Sequence, residues 1–171
     1  MKFLIISDSH GRYERISELI SMHRTVDALI FLGDGLSDLE RAGAYGNGFS
    51  VFAVKGNCDW SSLGLGSEVE NEILLNFDGY RFLLLHGHTR GVKYGLDNAI
   101  YAAREKEADI LLYGHTHEPL EKYIPAEADY SLDKPLRVFN PGSLGASGDG
   151  WGYFGLIEIR GKDVLMSHGK I

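Results

Sequence analysis

The chain of 171 residues has the length and composition of one ordinary domain, with 44% hydrophobic and 24% charged residues. Its formal net charge is −7 and its cationic residues form no dense cluster, so a surface that coats nucleic acid is not expected. Cys58 is the only cysteine, which excludes an intramolecular disulfide and fits a reducing compartment. The first apolar run spans only residues 3–6, too short for a signal peptide or membrane span. We therefore predict a cytoplasmic location and no membrane partner.

The first half of the sequence alternates between strand and helix patterns. Short apolar runs predict buried strands at residues 2–6, 26–32 and 50–55. Apolar residues at helical spacing predict a helix over residues 13–23, and a helical or irregular turn separates the second strand from the third. This order is typical of the start of a parallel sheet.

The second half is richer in strands. Asp78-Gly79 lies between apolar runs at 71–77 and 80–86, which predicts a β-hairpin. A helix over 93–107, a buried strand at 109–113, a polar surface excursion at 121–134 and closing strands at 136–140, 153–159 and 163–169 follow. We predict an α/β fold of two packed mixed β-sheets flanked by helices, a four-layer αββα sandwich, in a single domain over residues 1–171.

Polar residues follow the predicted strands where each strand ends. In α/β proteins, ligands bind at the carboxyl ends of the strands, so we expect these side chains to gather at one edge. Imidazole, carboxylate and amide oxygen atoms are ligands for divalent metals. Seven candidates are too many for one tetrahedral ion but suit two ions that share a carboxylate. They are Asp8, His10, Asp34, Asn57, His86, His115 and His117.

Two of these pairs are separated by one residue. In an extended segment, residues i and i+2 point the same way, so Asp8 with His10, and His115 with His117, are expected to reach a shared cavity from extended backbone. Taken alone, Asp34 could be a turn residue after a glycine.

Five sequence blocks in order resemble the calcineurin-like metallophosphoesterase superfamily, whose pattern is D-x-H, G-D, G-N-H-D/E, H and G-H-x-H. The matching blocks are DSH at 8–10, GD at 33–34, GNCD at 56–59, HGH at 86–88 and GHTH at 114–117. The short length and NPGS at 140–143 are similar to the small bacterial and archaeal phosphodiesterase branch. The resemblance implies a two-sheet sandwich with helices outside.

The resemblance also implies two sets of metal ligands. The first metal would be held by Asp8, His10, Asp34 and His117. The second would be held by Asp34, Asn57, His86 and His115, with Asp34 bridging. Two divalent ions per chain are implied, with Mn²⁺ expected and Ni²⁺, Fe, Co²⁺ or Zn²⁺ as alternatives that this donor set does not separate.

The implied activity is hydrolysis of small phosphodiesters by in-line attack of a metal-bridging hydroxide. Asp34, Asn57 and His88 are the candidate catalytic residues, and Asn57, Cys58 and His88 are the candidate substrate contacts. Cys58 stands where the family usually has a histidine that protonates the leaving group. A thiol lacks the charge and hydrogen-bonding geometry of an imidazolium, so substrates with poor leaving groups should react slowly. Asp59, which would orient that histidine, has no evident partner.

Other interpretations remain open on the sequence alone. A non-catalytic metal-binding scaffold or interaction module on the same fold is the main alternative, as in a retromer subunit related to this family, and a homo-oligomer through exposed closing strands is another. A nuclease is disfavoured by the acidic balance, so the expected partner is a small phosphodiester rather than nucleic acid. NPGS could be only a turn, His88 could lie outside the site, and Trp60 and Trp151 could either pack or line a substrate mouth. His23 and His168 are expected to be structural.

Overall fold

The computed structural model of the chain describes residues 1–59, 69–126, 134–145 and 147–171. In chain order, the strands and helices are β1 (Lys2–Ile6), α1 (Tyr13–Met22), β2 (Ala28–Phe31), α2 (Leu36–Arg41), β3 (Ser50–Ala53), β4 (Glu72–Phe77), β5 (Tyr80–Leu85), α3 (Asp97–Glu105), β6 (Ile110–Tyr113), β7 (Leu120–Ile124), β8 (Leu136–Asn140), β9 (Tyr153–Arg160) and β10 (Asp163–Lys170).

These strands form two mixed sheets of five strands each, in the orders β10-β9-β1-β2-β3 and β4-β5-β6-β8-β7. In the first sheet, β1, β2 and β3 run parallel, and β9 and β10 add antiparallel strands beside β1. In the second sheet, β5, β6 and β8 run parallel, and β4 and β7 pair antiparallel at the two edges. Each sheet therefore sends several loops from the carboxyl ends of parallel strands toward one edge.

Side chains alternate between the two faces of each strand, and this alternation produces three apolar layers. Phe3 and Ile5 of β1 face the second sheet, where they pack in one cluster with Phe82 and Leu84 of β5. The opposite face of the first sheet packs against α1 and α2, and that of the second sheet packs against α3. Each of these buried side chains contributes about 1.5–3 kcal/mol relative to an exposed one. The order helix, sheet, sheet, helix confirms the predicted αββα sandwich.

Two details differ from the sequence-based expectation. Residues 120–124 form the edge strand β7 rather than the start of a surface excursion, and residues 127–133 lie outside the described part of the chain. Three consecutive exposed residues of β7, Glu121, Lys122 and Tyr123, explain why its sequence resembles a loop. The helix predicted from residue 93 begins instead at Asp97, after a short 3₁₀ helix at His88–Arg90.

Within the described ranges, every helix is too short or too polar to cross a membrane.

Candidate metal centre

Backbone hydrogen bonds tie the strand-end loops of both sheets together. The amide of Asp8 donates to the carbonyl of Gly33 at 2.9 Å, which joins the loops after β1 and β2. The amide of His115 donates to Oδ2 of Asp8 at 3.0 Å, which connects the second sheet to the first. All seven predicted ligands lie at this junction, in groups whose donor atoms approach within 4.8 Å of one another or contact such a group directly.

The first group contains Asp8, His10 and His117. Oδ1 of Asp8 is buried and accepts no hydrogen bond from the described residues. Imidazole Nε2 atoms surround it, at 3.2 Å in His117, 3.7 Å in His10 and 3.9 Å in His86. Nε2 of His10 also lies 3.3 Å from Nε2 of His117. One acidic oxygen and several ring nitrogens therefore face a common point.

The second group centres on His86, which is completely buried. Its Nδ1 donates to the carbonyl of Leu32 at 2.7 Å, so in the neutral ring Nε2 carries a lone pair. That nitrogen faces Nδ1 of His115 at 3.1 Å, Oδ1 of Asn57 at 3.2 Å and Oδ2 of Asp34 at 3.5 Å. Lone pairs at these distances repel one another unless a proton or a cation lies between them.

The backbone at five of the seven candidate ligands is left-handed, not extended. The φ angles are 55° at Asp8, 44° at His10, 61° at Asp34, 68° at His115 and 64° at His117. The prediction that the i, i+2 pairs converge from extended backbone is therefore wrong, although the pairs do meet. Such conformations are unfavourable for residues other than glycine and are concentrated at functional sites.

Glycines allow the loops to approach one another. A Cβ on Gly56 would lie 2.1 Å from Oδ1 of Asp34, and one on Gly33 would lie 2.8 Å from Nδ1 of His86. No side chain fits at either position, so the glycines of the GD and GNCD blocks permit the close packing of the candidate ligands.

Asp59 has partners, contrary to the expectation from sequence. Its Oδ2 accepts hydrogen bonds from the amides of Asp34 at 2.8 Å and Gly56 at 2.9 Å. Its Oδ1 accepts from the amides of Gly35 at 2.8 Å and Leu36 at 2.9 Å. The carboxylate thus links the loops after β2 and β3 through main-chain hydrogen bonds, and one of its donors is the first amide of α2. No sequence pattern marks these main-chain donors.

Cys58 lies closer to the candidate ligands than the sequence indicated. His10, Asp34 and Cys58 form a third group of donor atoms that lie within 4.8 Å of one another. The amide of Cys58 donates to Oδ1 of Asp34 at 2.7 Å, and Nδ2 of Asn57 donates to the sulfur at 3.2 Å. The residue is exposed, so the thiol is accessible from solvent.

Burial and neighbouring charges shift the pKa values of these groups. Burial opposes the ionisation of Asp34, but hydrogen bonds from His86 and the Cys58 amide lower the pKa of this carboxyl well below its ordinary value. Burial also opposes protonation of His86, but Asp34 and Asp8 outweigh it and raise the pKa of that ring. Burial, with the charges of His86 and Lys93, lowers the pKa of His115 to about 4. Partial desolvation and Asp34 raise the pKa of the Cys58 thiol to about 11, even though the residue is exposed.

His88 lies beside the second group, with its ring centroid 5.4 Å from that of His86 and 6.2 Å from that of His115. Burial, with the charge of His86, lowers the pKa of His88. Its Nδ1 is buried and has no hydrogen-bond partner among the described residues. A cavity of about 750 Å³ opens here, and its lining includes Lys55, Asn57 and His88.

The NPGS segment supports the ligand loops. Nδ2 of Asn140 donates to the carbonyl of Gly114 at 3.1 Å and to Oγ1 of Thr116 at 3.0 Å, on either side of His115. Oγ of Ser143 donates to the carbonyl of Asp8 at 2.9 Å. Asn140 and Ser143 are completely buried. Of the two interpretations of NPGS, these contacts favour the shaping of the site over a simple turn.

The remaining aromatic residues separate into distinct environments. His168 stacks on Phe139 with centroids 4.4 Å apart and hydrogen-bonds the carbonyl of Asn140, a structural role as predicted. The ring of His23 packs beside that of Phe154, tilted by 57° with the ring centroids 5.4 Å apart. Trp151 is half exposed, and Trp60 lies outside the described residues.

Comparison with known proteins gave consistent matches. A family model described as the calcineurin-like phosphoesterase superfamily domain matches residues 1–162. The probable metallophosphoesterase YsnB of Bacillus subtilis is 38% identical over 118 residues, which cover 68% of this chain. The chain spans only 64% of the length of that relative. The phosphodiesterase YfcE of Escherichia coli K12 is 30% identical in an alignment that covers 96% of this chain and 90% of the relative.

Among solved structures, wild-type Vps29 of Entamoeba histolytica complexed with Zn²⁺ superposes with a TM-score of 0.68. The alignment covers 99% of each chain at 19% identity, so it shows a shared fold.

Proposed function

The chain belongs to the calcineurin-like phosphoesterase superfamily, and on that premise we propose that it is a two-metal phosphodiesterase that hydrolyses small phosphodiesters by in-line displacement. One observation carries the proposal. Oδ1 of Asp8 is buried, accepts no hydrogen bond from the described residues, and is faced by the Nε2 atoms of three histidines. A buried carboxylate oxygen in this setting is stabilised by a cation.

The donor set fits two divalent ions. Asp8, His10, Asp34 and His117 would hold the first, and Asp34, Asn57, His86 and His115 would hold the second. The lone pairs around Nε2 of His86 support the second position, since an ion there converts their repulsion into coordination. The Nδ1–H bond from His86 to Leu32 fixes the ring in the tautomer that ligation requires. Bound ions would supply Lewis-acid activation of water and neutralise charge on the phosphoryl oxygens.

Asp34 is suited to bridge the two positions. It belongs both to the group with His10 and to the group with His86 and His115. Its lowered pKa keeps the carboxylate ionised at neutral pH, and the amide of Cys58 fixes Oδ1. The hydrogen bond from the Asp34 amide to Asp59 holds the Asp34 backbone in its left-handed conformation.

The substrate would enter through the cavity beside the second group. Asn57 and His88 face both the cavity and the candidate ligands, and Lys55 adds a cation to the lining. His88 has a lowered pKa and is therefore neutral at pH 7, so it is suited to hydrogen-bond a phosphoryl oxygen but poorly suited to protonate a leaving group. We therefore favour diesters whose leaving groups depart without a proton.

The first test is a hydrolysis assay. The purified, metal-stripped protein is given an aryl phosphodiester or the matching monoester, with Mn²⁺, Ni²⁺, Mg²⁺ or Zn²⁺ restored in separate reactions. We expect metal-dependent turnover that is faster on the diester. Faster turnover of the monoester would reject the diester assignment, and equal turnover without metal would reject the two-metal mechanism.

A non-catalytic metal-binding scaffold on the same fold is the second candidate, since this fold is also that of Vps29 of Entamoeba histolytica complexed with Zn²⁺. The variant His117→Ala separates the two. An enzyme loses turnover together with one equivalent of metal. A scaffold shows no turnover even in the wild-type form, although the wild-type form binds two equivalents of metal.

A further inference from the structure

We propose that Asp38 of α2 is a positioning residue, which sets the affinity of the first ion by fixing the loop that carries the ligand His10. The inference rests on the two-ion site proposed above and adds to it a residue that contacts neither ion. Asp38 is only 2% exposed, and it belongs to none of the donor-atom groups formed by the described residues. A carboxylate is costly to bury unless it accepts hydrogen bonds, so the donors that surround Asp38 show what it stabilises.

The donors to Asp38 lie on both sides of His10. Oδ2 of Asp38 accepts a hydrogen bond from Oγ of Ser9 at 2.6 Å and another from the amide of Gly11 at 2.8 Å. Ser9 is completely buried, so water does not compete for its hydroxyl group. One carboxylate oxygen therefore holds the residue before the candidate ligand and the residue after it.

The backbone between these two hydrogen bonds has an unfavourable conformation. The φ angles are 44° at His10 and 87° at Gly11. The amide of Arg12 donates to the carbonyl of Ser9 at 2.9 Å, which closes a tight turn. A left-handed φ is unfavourable for histidine, and the direction of the imidazole depends on it. Without Asp38, the turn can relax and Nε2 of His10 can leave its place beside the Asp8 carboxylate.

The start of α2 lies directly against this turn. Gly35 precedes the helix, and a Cβ at this position would lie 1.9 Å from Oγ of Ser9 and 2.9 Å from Oδ2 of Asp38. Only glycine therefore lets the helix approach closely enough for these hydrogen bonds. The first amide of the helix, that of Leu36, donates to Oδ1 of Asp59 at 2.9 Å. Helix α2 thus joins the turn after β1 to the loop after β3.

Loss of Asp38 should affect one ion and spare the other. His10 is a candidate ligand of the first ion alone. The ring of His86, a candidate ligand of the second ion, is oriented instead by the carbonyl of Leu32 at 2.7 Å. We expect Asp38→Ala to weaken binding of the first ion roughly 10–100-fold, the range typical when a partner that orients a metal ligand is lost, and to leave the second ion unchanged.

Zinc titration of a double-mutant cycle tests the proposal. The metal-stripped wild type, Asp38→Ala, His10→Ala and the double variant are each titrated with Zn²⁺, and the two dissociation constants are fitted. If Asp38 acts through His10, the single variants weaken the same equivalent of metal, and Asp38→Ala has no further effect once His10 is absent. Asp38→Asn should keep most of the wild-type affinity, because an amide oxygen also accepts both hydrogen bonds.

Asp27→Ala is the matched control. Oδ2 of Asp27 also accepts a hydrogen bond from a main-chain amide, that of Lys2 at 2.6 Å, but at the amino-terminal ends of β1 and β2. This variant should bind both ions as the wild type does. If Asp38→Ala does not fold, Ser9→Ala takes its place in the cycle, since it removes one of the two hydrogen bonds and leaves the carboxylate.

Several outcomes would overturn this inference and leave the two-ion site standing. They are unchanged affinity in Asp38→Ala, equal weakening of both ions, and additive effects of Asp38→Ala and His10→Ala. A loss in Asp38→Asn as large as that in Asp38→Ala would do the same, because it would make the charge of Asp38 responsible and not its hydrogen bonds. A folded wild-type protein that fails to bind two ions would overturn the proposed function as well.

Discussion

The carboxylate of Asp59 holds the backbone of Asp34, whose amide donates to Oδ2 of Asp59 at 2.8 Å. The same carboxylate binds three further amides, at Gly35, Leu36 and Gly56. Asp34 is a candidate bridging ligand in a left-handed conformation, which is unfavourable for a residue other than glycine. A residue outside the ligand set therefore positions the ligand that the two ions would share.

Removing the Asp59 carboxylate should both destabilise the protein and weaken metal binding. We expect Asp59→Ala to lower the free energy of unfolding by about 3 kcal/mol, because four amides lose a charged acceptor. Urea denaturation measures the first effect and metal titration the second. Asp163, exposed at the start of β10, provides the matched control Asp163→Ala, which should change neither. Normal metal affinity in a destabilised Asp59→Ala would contradict the positioning role.

Replacing Asp8 should leave the metal-free protein stable but abolish most of the stabilisation that added metal gives. In Asp8→Asn, the amide oxygen can keep the bonds from Ser7 at 2.5 Å and the His115 amide at 3.0 Å, while the NH₂ group faces Nε2 of His117. The metal-free variant should therefore be at least as stable as metal-free wild type, because a buried charge has been removed.

The same variant should respond poorly to metal. Ligand binding to the native state stabilises by roughly 2.7 kcal/mol at 100 times Kd, so wild type should melt several degrees higher with Zn²⁺. Asp8→Asn should show little increase. Melting curves recorded with chelator measure the stability of the metal-free proteins, and curves recorded with Zn²⁺ measure the stabilisation by metal. A metal-free variant that melts well below metal-free wild type would show that the buried Asp8 charge does not destabilise the metal-free fold.

The sequence predicted the layers and the gathering of ligands because both depend on local patterns. Apolar runs identify β1 and β2, and the rule that ligands bind at the carboxyl ends of parallel strands places Asp8 and Asp34 together. The left-handed φ values of the ligands could not be predicted, since they are imposed by contacts among loops distant in sequence. The partners of Asp59 were missed for a related reason, because main-chain amides look alike in every sequence.

Restoring the family's histidine should change substrate preference. In Cys58→His, an imidazole can protonate a leaving group, so we expect kcat/KM on a diester with an alkyl leaving group, such as a cyclic nucleotide, to rise roughly 10²-fold. An aryl diester, whose leaving group departs without a proton, should respond much less. Cys58→Ser is the control, because it removes the thiol without adding an acid. An equal gain on both diesters would argue against a protonation effect.

The ion pair between Arg90 and Glu72 should stabilise the His88 loop in a pH-dependent way. Arg90 donates to both carboxylate oxygens of Glu72, at 2.5 Å and 2.9 Å, and this hydrogen bonding lowers the pKa of Glu72. A lowered folded-state pKa adds stability above the ordinary value of 4.5, and this stability is lost as pH falls through the lower folded-state value.

We therefore expect metal-free Arg90→Met to be less stable than wild type by about 1 kcal/mol at pH 7, a value kept small by the partial exposure of the pair. The difference should shrink as pH falls below 4.5. Urea denaturation of both proteins across this range makes the comparison, with Arg24→Met, at an exposed arginine, as control. A constant difference would exclude the ion pair as its source.

Asn140 provides the last prediction, because its side chain supports the loop of His115 and His117 without belonging to the candidate ligand set. In Asn140→Asp, a carboxylate oxygen would replace Nδ2 and face the carbonyl of Gly114 at 3.1 Å, so two acceptors would repel in a completely buried position. We expect a loss of about 2–4 kcal/mol in the free energy of unfolding, with weaker metal binding by the two histidines. Asn76→Asp adds the same charge at an exposed position of β4 and should leave both properties unchanged. Isothermal titration with Zn²⁺ and urea denaturation decide the matter: reduced stability with unchanged affinity for both ions would mean that Asn140 supports the fold and not the metal centre.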